Sequence, residues 1–492
     1  MSETKDEFTE LVLGSGVLLS GQIVGKILAL GGHVLLVRLL DPHLFGRLSL
    51  AHTVILIFSP FVMLGIPNGI TRMIAASDTQ RTKSDMAIGG GVIMVITGCL
   101  VSICLIYFRG FAAEVVNATQ AAPLLVWFAP LLVLKPIGQT TLSIVRTYGE
   151  SGKAAVMRDI TPKVAAIVSL LLVSAIATPY QGAIAYWLVG AITMILTGTY
   201  FVNSLVGLPT LFSRIPDRNN LARLVSHSWP LAIEGGFMLL MTRFDLLAIG
   251  YFLSETEVGY YRSVQPLAVA TLFILNSFVF LYLPLATEYF EDDRLEDIQY
   301  LYTRTTKWVV VSTLPLLIVF GVFPNDVIRV FLSNAYSPAA LPFAVLLLGM
   351  FARVVVGPNG ATIKAINKTR VNLLSSSVGV ITNICLNIVL IPQYQMVGAA
   401  TATALGYLIY NGTEVIVLYS LHRIQPFSLD LVKLLLVLAG ITVLMQWRFT
   451  GTYGLIELIG IGIALATLTL VLSLATGTIK ISEVQDLLDS SR

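Results

Sequence analysis

The chain predicts an all-α polytopic membrane protein: fourteen transmembrane helices, arranged as two parallel six-helix repeats with two further helices at the C-terminus. Three observations carry that prediction. First, 56% of the 492 residues are hydrophobic and only 12% charged, with a mean hydropathy of +0.83. With glycine counted, roughly 60% of the chain is apolar, against about 45–50% in soluble proteins, so a globule of this size could not cover its surface with polar groups. Second, apolar runs recur at the length of a membrane crossing. Third, short segments of the first half return about 213 to 217 residues later.

Taken in order, the chain opens with a polar tail, residues 1–10, MSETKDEFTE. It has no basic stretch leading into a short apolar region and a small-residue cleavage site, so the first apolar run is expected to stay in the membrane. Crossing the hydrocarbon core takes about 20 mostly apolar residues. Runs of that kind lie near 11–37, 48–70, 86–107, 121–145, 160–178 and 182–206, giving a first lobe over 11–206. A cytoplasmic linker, 207–223, leads to a second lobe over 224–421, with spans near 224–250, 264–286, 308–324, 339–357, 372–391 and 397–420. Spans near 431–447 and 455–476 make up residues 422–476, and 477–492 form a tail. Such continuous runs are helices rather than barrel strands.

Lysine and arginine orient the spans. With the N-terminus inside, twenty of the 31 basic residues fall in cytoplasmic segments and six in outer loops, as the positive-inside rule requires. Both termini are therefore expected in the cytoplasm of a cell-membrane protein. Residues 288–307 space Leu295, Ile298 and Tyr302 helically among charges, and Ile481, Val484, Leu487 and Leu488 do the same. Both stretches are expected to lie as helices on the cytoplasmic leaflet.

The repeat rests on three markers. Leu39–Arg47, LLDPHLFGR, matches Phe252–Tyr260, FLSETEVGY, placing Gly46 and Gly259 213 residues apart. Gly182 and Gly398, each in a short turn before a span, are 216 apart, and Pro67 and Pro284 are 217 apart. An even number of spans per copy makes the copies parallel, and transporters built this way bind substrate between the halves.

Several chemistries are excluded. The net charge of +3 is small and the basic residues are scattered, so nucleic acid is not a partner. The five histidines show no metal spacing. Gly21-Gln-Ile-Val-Gly25-Lys26 is one residue short of a phosphate loop, and small-residue helix packing explains it better. Cys99, Cys104 and Cys385 sit in apolar runs and are expected to be buried and inert. No loop has room for a catalytic or nucleotide-binding domain, so no enzyme activity and no cofactor is expected. Asn117-Ala-Thr119 is a glycosylation sequon in an outer loop close to its neighbouring spans.

Charges inside spans are costly and mark functional candidates. Lys26 lies mid-span with Gln22 one turn away on the same face; Lys135 stands between Pro130 and Pro136, where the helix should break. Arg243 and Arg353 lie in spans seven and ten, and Lys163 at the edge of span five. The acids are Glu234, Asp245 and Glu414; Glu234 and Asp245 share a face that Arg243 points away from. Arg72 and Arg262 lie near the membrane boundary. The basic excess suggests a cationic central cavity for an anionic, phosphate-bearing substrate. The acids would pair with these cations or couple transport to H⁺ or Na⁺.

The segments RLLDPHLFG (Arg38–Gly46), LGIPNGITR (Leu64–Arg72), DLLAIGYFLSETEVGYY (Asp245–Tyr261) and IPQYQMVGAA (Ile391–Ala400) resemble the polysaccharide biosynthesis and export family. These are the O-antigen-type flippases of the multidrug/oligosaccharidyl-lipid/polysaccharide (MOP) exporter superfamily. The resemblance implies V-shaped lobes and a polyprenol-linked oligosaccharide as cargo. That cargo would be carried from the cytoplasmic to the outer leaflet by alternating access, in partnership with membrane lipids and glycosyltransferases of the same pathway. It places Lys26 and Arg243 among cavity-lining positions and Asp245 at the acidic start of the motif after span seven. Lys135 and Arg353 match no motif and rest on burial alone. The last two helices would add a groove for the lipid tail. A multidrug and toxic-compound antiporter of the same superfamily is the alternative, disfavoured by the lysines deep in the first lobe. A membrane glycosyltransferase or polymerase would need a large outer loop with catalytic acids. A passive scaffold would leave the buried charges unexplained.

Overall fold

In hydrocarbon a backbone can satisfy its own N–H and C=O groups only within a helix or a closed barrel, and every element among the described residues is helical. The computed structural model describes residues 2–75, 80–115, 117, 119–207 and 216–479, with side chains from Gly21 onward except Val115 and several within 72–84 and 227–241. The chain divides into two units, Met1–Gly259 and Tyr260–Arg492.

The first unit runs α1 (Ser2–Leu39), α2 (Pro42–Met63), α3 (Ile66–Ala75), α4 (Gln80–Tyr107), α5 (Arg109–Val115), α6 (Ala122–Phe128), α7 (Leu131–Thr147) and α8 (Ser151–Ala155). A π-helical turn, Val156–Ile160, leads to α9 (Thr161–Ile176), α10 (Pro179–Val206) and α11 (Arg218–Phe252). Next come α12 (Glu255–Ala270), α13 (Phe273–Glu291), α14 (Leu295–Val322), α15 (Pro324–Phe331), α16 (Ala340–Val356) and α17 (Asn359–Ala365). The chain closes with α18 (Thr369–His422), α19 (Leu429–Arg448) and α20 (Leu455–Ala475).

Among the described residues, eleven helices are long and apolar enough to cross a membrane, or twelve if α6 and α7, bent by 41°, form one span. The chain is thus a multi-pass membrane protein, with fewer qualifying helices than the fourteen spans expected. Part of the difference lies in α18, whose 54 residues cover two predicted spans. Run straight, that many residues would reach about 80 Å, more than twice a core of about 30 Å, and α18 is in fact two helical arms joined at a kink. Non-helical backbone at Gln395, φ 53° and ψ −136°, interrupts it where the sequence turns.

Two expectations are corrected. Residues 295–307 are no separate helix on the leaflet; they are the first turns of α14, and Ile298 and Tyr302 are buried against Tyr282 and Ala286. The second amphipathic stretch, 481–488, lies outside the described residues. The three cysteines are exposed rather than buried, because on a spanning helix an apolar side chain can face lipid as readily as protein.

Local chemistry explains the repeat motif. Asp41 caps α2, accepting from Leu44 N at 3.0 Å, with Pro42 in the first turn. Ser254, 213 residues on, accepts from Thr256 N at 3.2 Å at the start of α12. The two glycines of the motif meet reciprocally: a Cβ on Gly46 would overlap the carbonyl oxygen of Glu255, and one on Gly259 that of Pro42. Glu255 is itself 213 residues after Pro42, so each motif presents the same atoms to the other. Gly182 and Gly398 also share a role, since a Cβ on either would strike a backbone carbonyl on the helical segment before the bend, that of Leu170 or Leu390. The prolines differ: Pro67 starts α3 after the left-handed pair Leu64 and Gly65, while Pro284 lies inside α13.

Candidate functional site

Two prolines and a break in the helix direction set the site in the first unit. Pro130 and Pro136 flank the first turn of α7, at the bend from α6. Lys135 lies between them, half-buried, with Nζ 3.1 Å from Nε2 of His52 on α2. The His52 ring stacks on Trp187, centroids 5.1 Å apart, and Phe128 meets both rings edge-on. Arg243 on α11 is near enough for its charge to act on Lys135, and its buried Nε has no hydrogen-bond partner. Lys135 is thus held against an aromatic cluster with a second cation, Arg243, within electrostatic reach, and the Asp245 carboxylate acts on Arg243 in turn; the surplus positive charge favours an anion.

A cavity of about 300 Å³ lies between α2, α3, α7 and α11, lined by Leu56, Ser59, Asn68, Gln139 and Leu239 among others. None of the sequence-predicted cations lines it. They stand beside it, however: His52 is four residues from Leu56, Lys135 four from Gln139, and Arg243 four from Leu239. Residues four apart on a helix share a face, one turn or about 5.4 Å along. The two cations and His52 thus form one layer next to the cavity wall. The break between α2 and α3, with positive φ at Leu64 and Gly65, opens the space, and Ser59, Asn68 and Gln139 are its polar groups.

The other predicted residues are placed differently. Lys26 is exposed on α1 and Gln22 is half-buried. Beside them, the near-phosphate-loop glycines do serve helix packing: a Cβ on Gly21 would meet Ala155 Cβ at 2.8 Å, and one on Gly25 would meet Asp159 Cβ at 2.6 Å. Lys163 and Arg158 share one carboxylate, pairing with Asp159 at 3.2 Å and 2.6 Å. Asp159 lies on the π-helical turn, which no residue pattern announced. Asp245 is buried and accepts from Leu246 N at 2.8 Å. The side chains of Glu234 and Arg72 lie outside the described ones. Arg47, assigned only to an outer loop from sequence, pairs with Glu255 at 2.8 Å and also contacts Gln120. Asn117 of the sequon donates to the Tyr251 carbonyl at 3.2 Å.

In the second unit, Arg353 lies over the Tyr407 ring, 4.9 Å from its centroid, and Arg262 donates to Gln265 at 3.1 Å. Glu414 is fully buried, its Oε1 accepting from Ser375 at 3.4 Å. Sequence reading flagged the charges in both units but missed their neighbours His52, Trp187, Ser375 and Tyr410. Neutral polar groups and aromatics are common in spans and carry no such signal. Among the described residues no three His, Cys, Asp or Glu gather to hold a metal.

Comparison with known proteins follows the same lines. The polysaccharide biosynthesis protein family matches residues 11–290, more than half of the chain. A Haloferax volcanii protein named "Probable low-salt glycan biosynthesis flippase Agl15" is 20% identical over 295 residues, 59% of this chain and 60% of its own length. The lipid II flippase MurJ in an inward closed conformation superposes with a TM-score of 0.71 at 14% identity, covering 94% of this chain and 99% of that one. An inward-facing multidrug resistance MATE family transporter of the MOP superfamily gives a TM-score of 0.64 at 13% identity, covering 89% and 100%.

Proposed function

Since this chain belongs to the polysaccharide biosynthesis protein family, we propose that it is a flippase for a polyprenol-linked oligosaccharide. It carries the sugar-phosphate or pyrophosphate head group from the cytoplasmic to the outer leaflet by alternating access, without a covalent step. A head group of hydroxyls and negative charge cannot cross hydrocarbon unaided, since its hydrogen bonds would go unmade. Fixed cations beside a polar-lined hollow replace those bonds while the lipid tail stays in the bilayer.

The observation that carries the reading is the layer of Lys135, Arg243 and His52 one helical turn from the cavity wall. The cavity, about 300 Å³, is at the lower end of the roughly 300–1,000 Å³ of small-ligand pockets. It suits the phosphate end of the cargo rather than a whole glycan. Trp187, half-buried and backed by the buried Phe128, offers a flat apolar face for the sugar next to the phosphate. Lys26, with Gln22 one turn away, adds a polar face to the first unit, Arg353 is the cation of the second unit, and Glu234, Asp245 and Glu414 serve in pairing or coupling. The chain crosses the membrane fourteen times as two six-helix lobes and two added helices, both termini in the cytoplasm. The long, interrupted α18 and the reciprocal Gly46–Gly259 motifs support that plan. The Haloferax relative's name, a glycan biosynthesis flippase, supports the cargo class.

The MATE likeness supports a second reading, export of cationic drugs. Two adjacent cations would repel such cargo, so the observations favour the first. The test is flipping of a fluorescent undecaprenyl-pyrophosphate oligosaccharide in proteoliposomes, scored by accessibility to an added quencher. Lys135→Ala and Arg243→Ala should each slow it at least about tenfold, the loss of one charge-assisted phosphate bond of about 1.5–3 kcal/mol. Unchanged flipping in both variants, or uptake of ethidium with no flipping by the wild type, would overturn the reading.

A further inference from the structure

A second cluster of cations stands in the first unit, apart from Lys135 and Arg243, where α9 begins. The π-helical turn Val156–Ile160 carries Arg158 and Asp159, and Lys163 follows in the first turn of α9. Turns of this kind insert one residue into a helix and are frequent at functional sites. The Asp159 carboxylate is buried. Its Oδ2 lies 2.7 Å from Nε and 2.6 Å from Nη2 of Arg158, and its Oδ1 accepts from Lys163 Nζ at 3.2 Å. Arg146, in the last turn of α7, is near enough for the charges of Arg158 and Asp159 to act on it. Glu150, the other acid of this stretch, is paired with Lys153 at 2.9 Å. Three cations thus gather at one carboxylate, and two positive charges are left over.

The carboxylate is fixed from behind. A Cβ on Gly25 of α1 would stand 2.6 Å from Asp159 Cβ and 2.9 Å from Lys163 Nζ, so α1 packs directly over the pair. On the other side the cluster is open: the Arg158 and Lys163 side chains are 31% and 26% exposed, and Arg146 is exposed. Water alone could solvate such charges. The register of α7 is what points to a ligand. Arg146 lies seven residues from Gln139 of the cavity wall and eleven from Lys135. Those spacings are two and three turns, so all three share one face, and about 16 Å of helix joins Arg146 to Lys135. The basic pattern of the loops assigns residues 146–158 to the cytoplasmic side. One face of α7 then carries a cation at each end, with the polar Gln139 between them.

The donor set decides the ligand. Guanidinium forks match phosphate oxygens, and an ammonium adds a compact charge. Arg158 gives Asp159 two of its five N–H groups, which holds the guanidinium plane and leaves the rest for a ligand. Basic pockets between spanning helices on the cytoplasmic side suit lipid head groups. We propose that Arg146, Arg158 and Lys163, aligned by Asp159, dock the phosphate of a lipid head group on the cytoplasmic side before it reaches the cavity. That this lipid is the polyprenol-linked cargo rests on the flippase reading.

The test is native mass spectrometry of the full-length protein in detergent, titrated with an undecaprenyl-pyrophosphate oligosaccharide, with phosphatidylglycerol and with inorganic pyrophosphate. The first should bind at least about tenfold more tightly than the others, since phosphatidylglycerol brings one negative charge to two surplus cations and free pyrophosphate has no tail in the lipid. Arg146→Gln and Arg158→Gln should each weaken its binding at least about tenfold, the loss of one charge-assisted bond. Arg146→Gln guards against misfolding, because this exposed residue forms no ion pair among the described residues. The same loss should persist on a Lys135→Ala background, because the two sites hold the phosphate in turn and act independently. Lys433→Gln, at an exposed cation of the second unit, should bind as the wild type does. Unchanged binding in both arginine variants, a loss that vanishes on the Lys135→Ala background, or equal affinity for phosphatidylglycerol would each overturn the proposal. Arginine-dependent binding without flipping in proteoliposomes would count against the flippase reading alone. Flipping with binding that ignores both arginines would count against the docking site alone.

Discussion

Replacing Gly46 with alanine tests the reciprocal contact between the two copies of the repeat motif. The added Cβ would lie 2.7 Å from Gly259 N and 2.8 Å from the Glu255 carbonyl carbon, and would overlap the oxygen of that carbonyl. All three atoms are backbone, so no rotamer change relieves the overlap, and the ends of α2 and α12 must move apart. Overpacking of this kind costs roughly 1–3 kcal/mol. The separation also stretches the Arg47–Glu255 pair, 2.8 Å long and beside the same contact, so the upper half of that range is expected. Helix propensity acts the other way, because alanine in a helix interior is favoured by about 1 kcal/mol. Gly440→Ala isolates that term: it lies inside α19 with nothing within 4 Å of the added atom. Thermal unfolding in nanodiscs, followed by tryptophan fluorescence, should show Gly46→Ala below the wild type and Gly440→Ala at or above it. Gly259→Ala should resemble Gly46→Ala. Equal melting of Gly46→Ala and Gly440→Ala would refute the close-contact reasoning.

Three further outcomes are expected. In a double-mutant cycle on Arg47→Ala and Glu255→Gln, the Glu255 side chain is one-tenth exposed and that of Arg47 one-fifth. The coupling in thermal stability should be about 1–2 kcal/mol, between the values for exposed and buried pairs, and additive effects would contradict it. Asp326→Ala should loosen residues 449–454, because Asp326 accepts from Arg329 at 2.7 Å and from Tyr453 N at 3.2 Å. Faster hydrogen exchange there, at a stability cost of about 1–2 kcal/mol, checks it. Tyr407→Leu removes the ring under Arg353 and should cost about 0.5–1 kcal/mol in the same melting assay; Arg353→Ala should then add little.

Much of the fold was legible because a lipid solvent reduces the alphabet. Apolar runs fixed where helices lie to within a few residues, as at 431–447 against Leu429–Arg448 and 455–476 against Leu455–Ala475. Capping chemistry was equally plain at Asp41-Pro42, where a side-chain acceptor and a missing N–H both suit a helix start. The count of crossings was less legible, since hydropathy cannot say whether a break such as Gln395 ends one helix or bends it. It also cannot say which face of a helix meets lipid, and this is why the cysteines were misjudged.

The site was legible only on its charged half. Burial in a span makes Lys135, Arg243 and Glu414 conspicuous, because each carries a transfer cost that something must offset. What offsets it is contributed by neutral groups, and these are distant in sequence. His52 lies 83 residues before Lys135, and Ser375 lies 39 before Glu414. Glycines are the extreme case, since their part is the absence of atoms. The tightly packed ones and the idle ones separate only when the surroundings of the absent side chain are known: at Gly25 a Cβ would meet Asp159 Cβ at 2.6 Å, whereas at Gly412 nothing lies within 4 Å. That physical difference is why Gly25→Ala should change how α1 packs, whereas Gly412→Ala should leave α18 as it is.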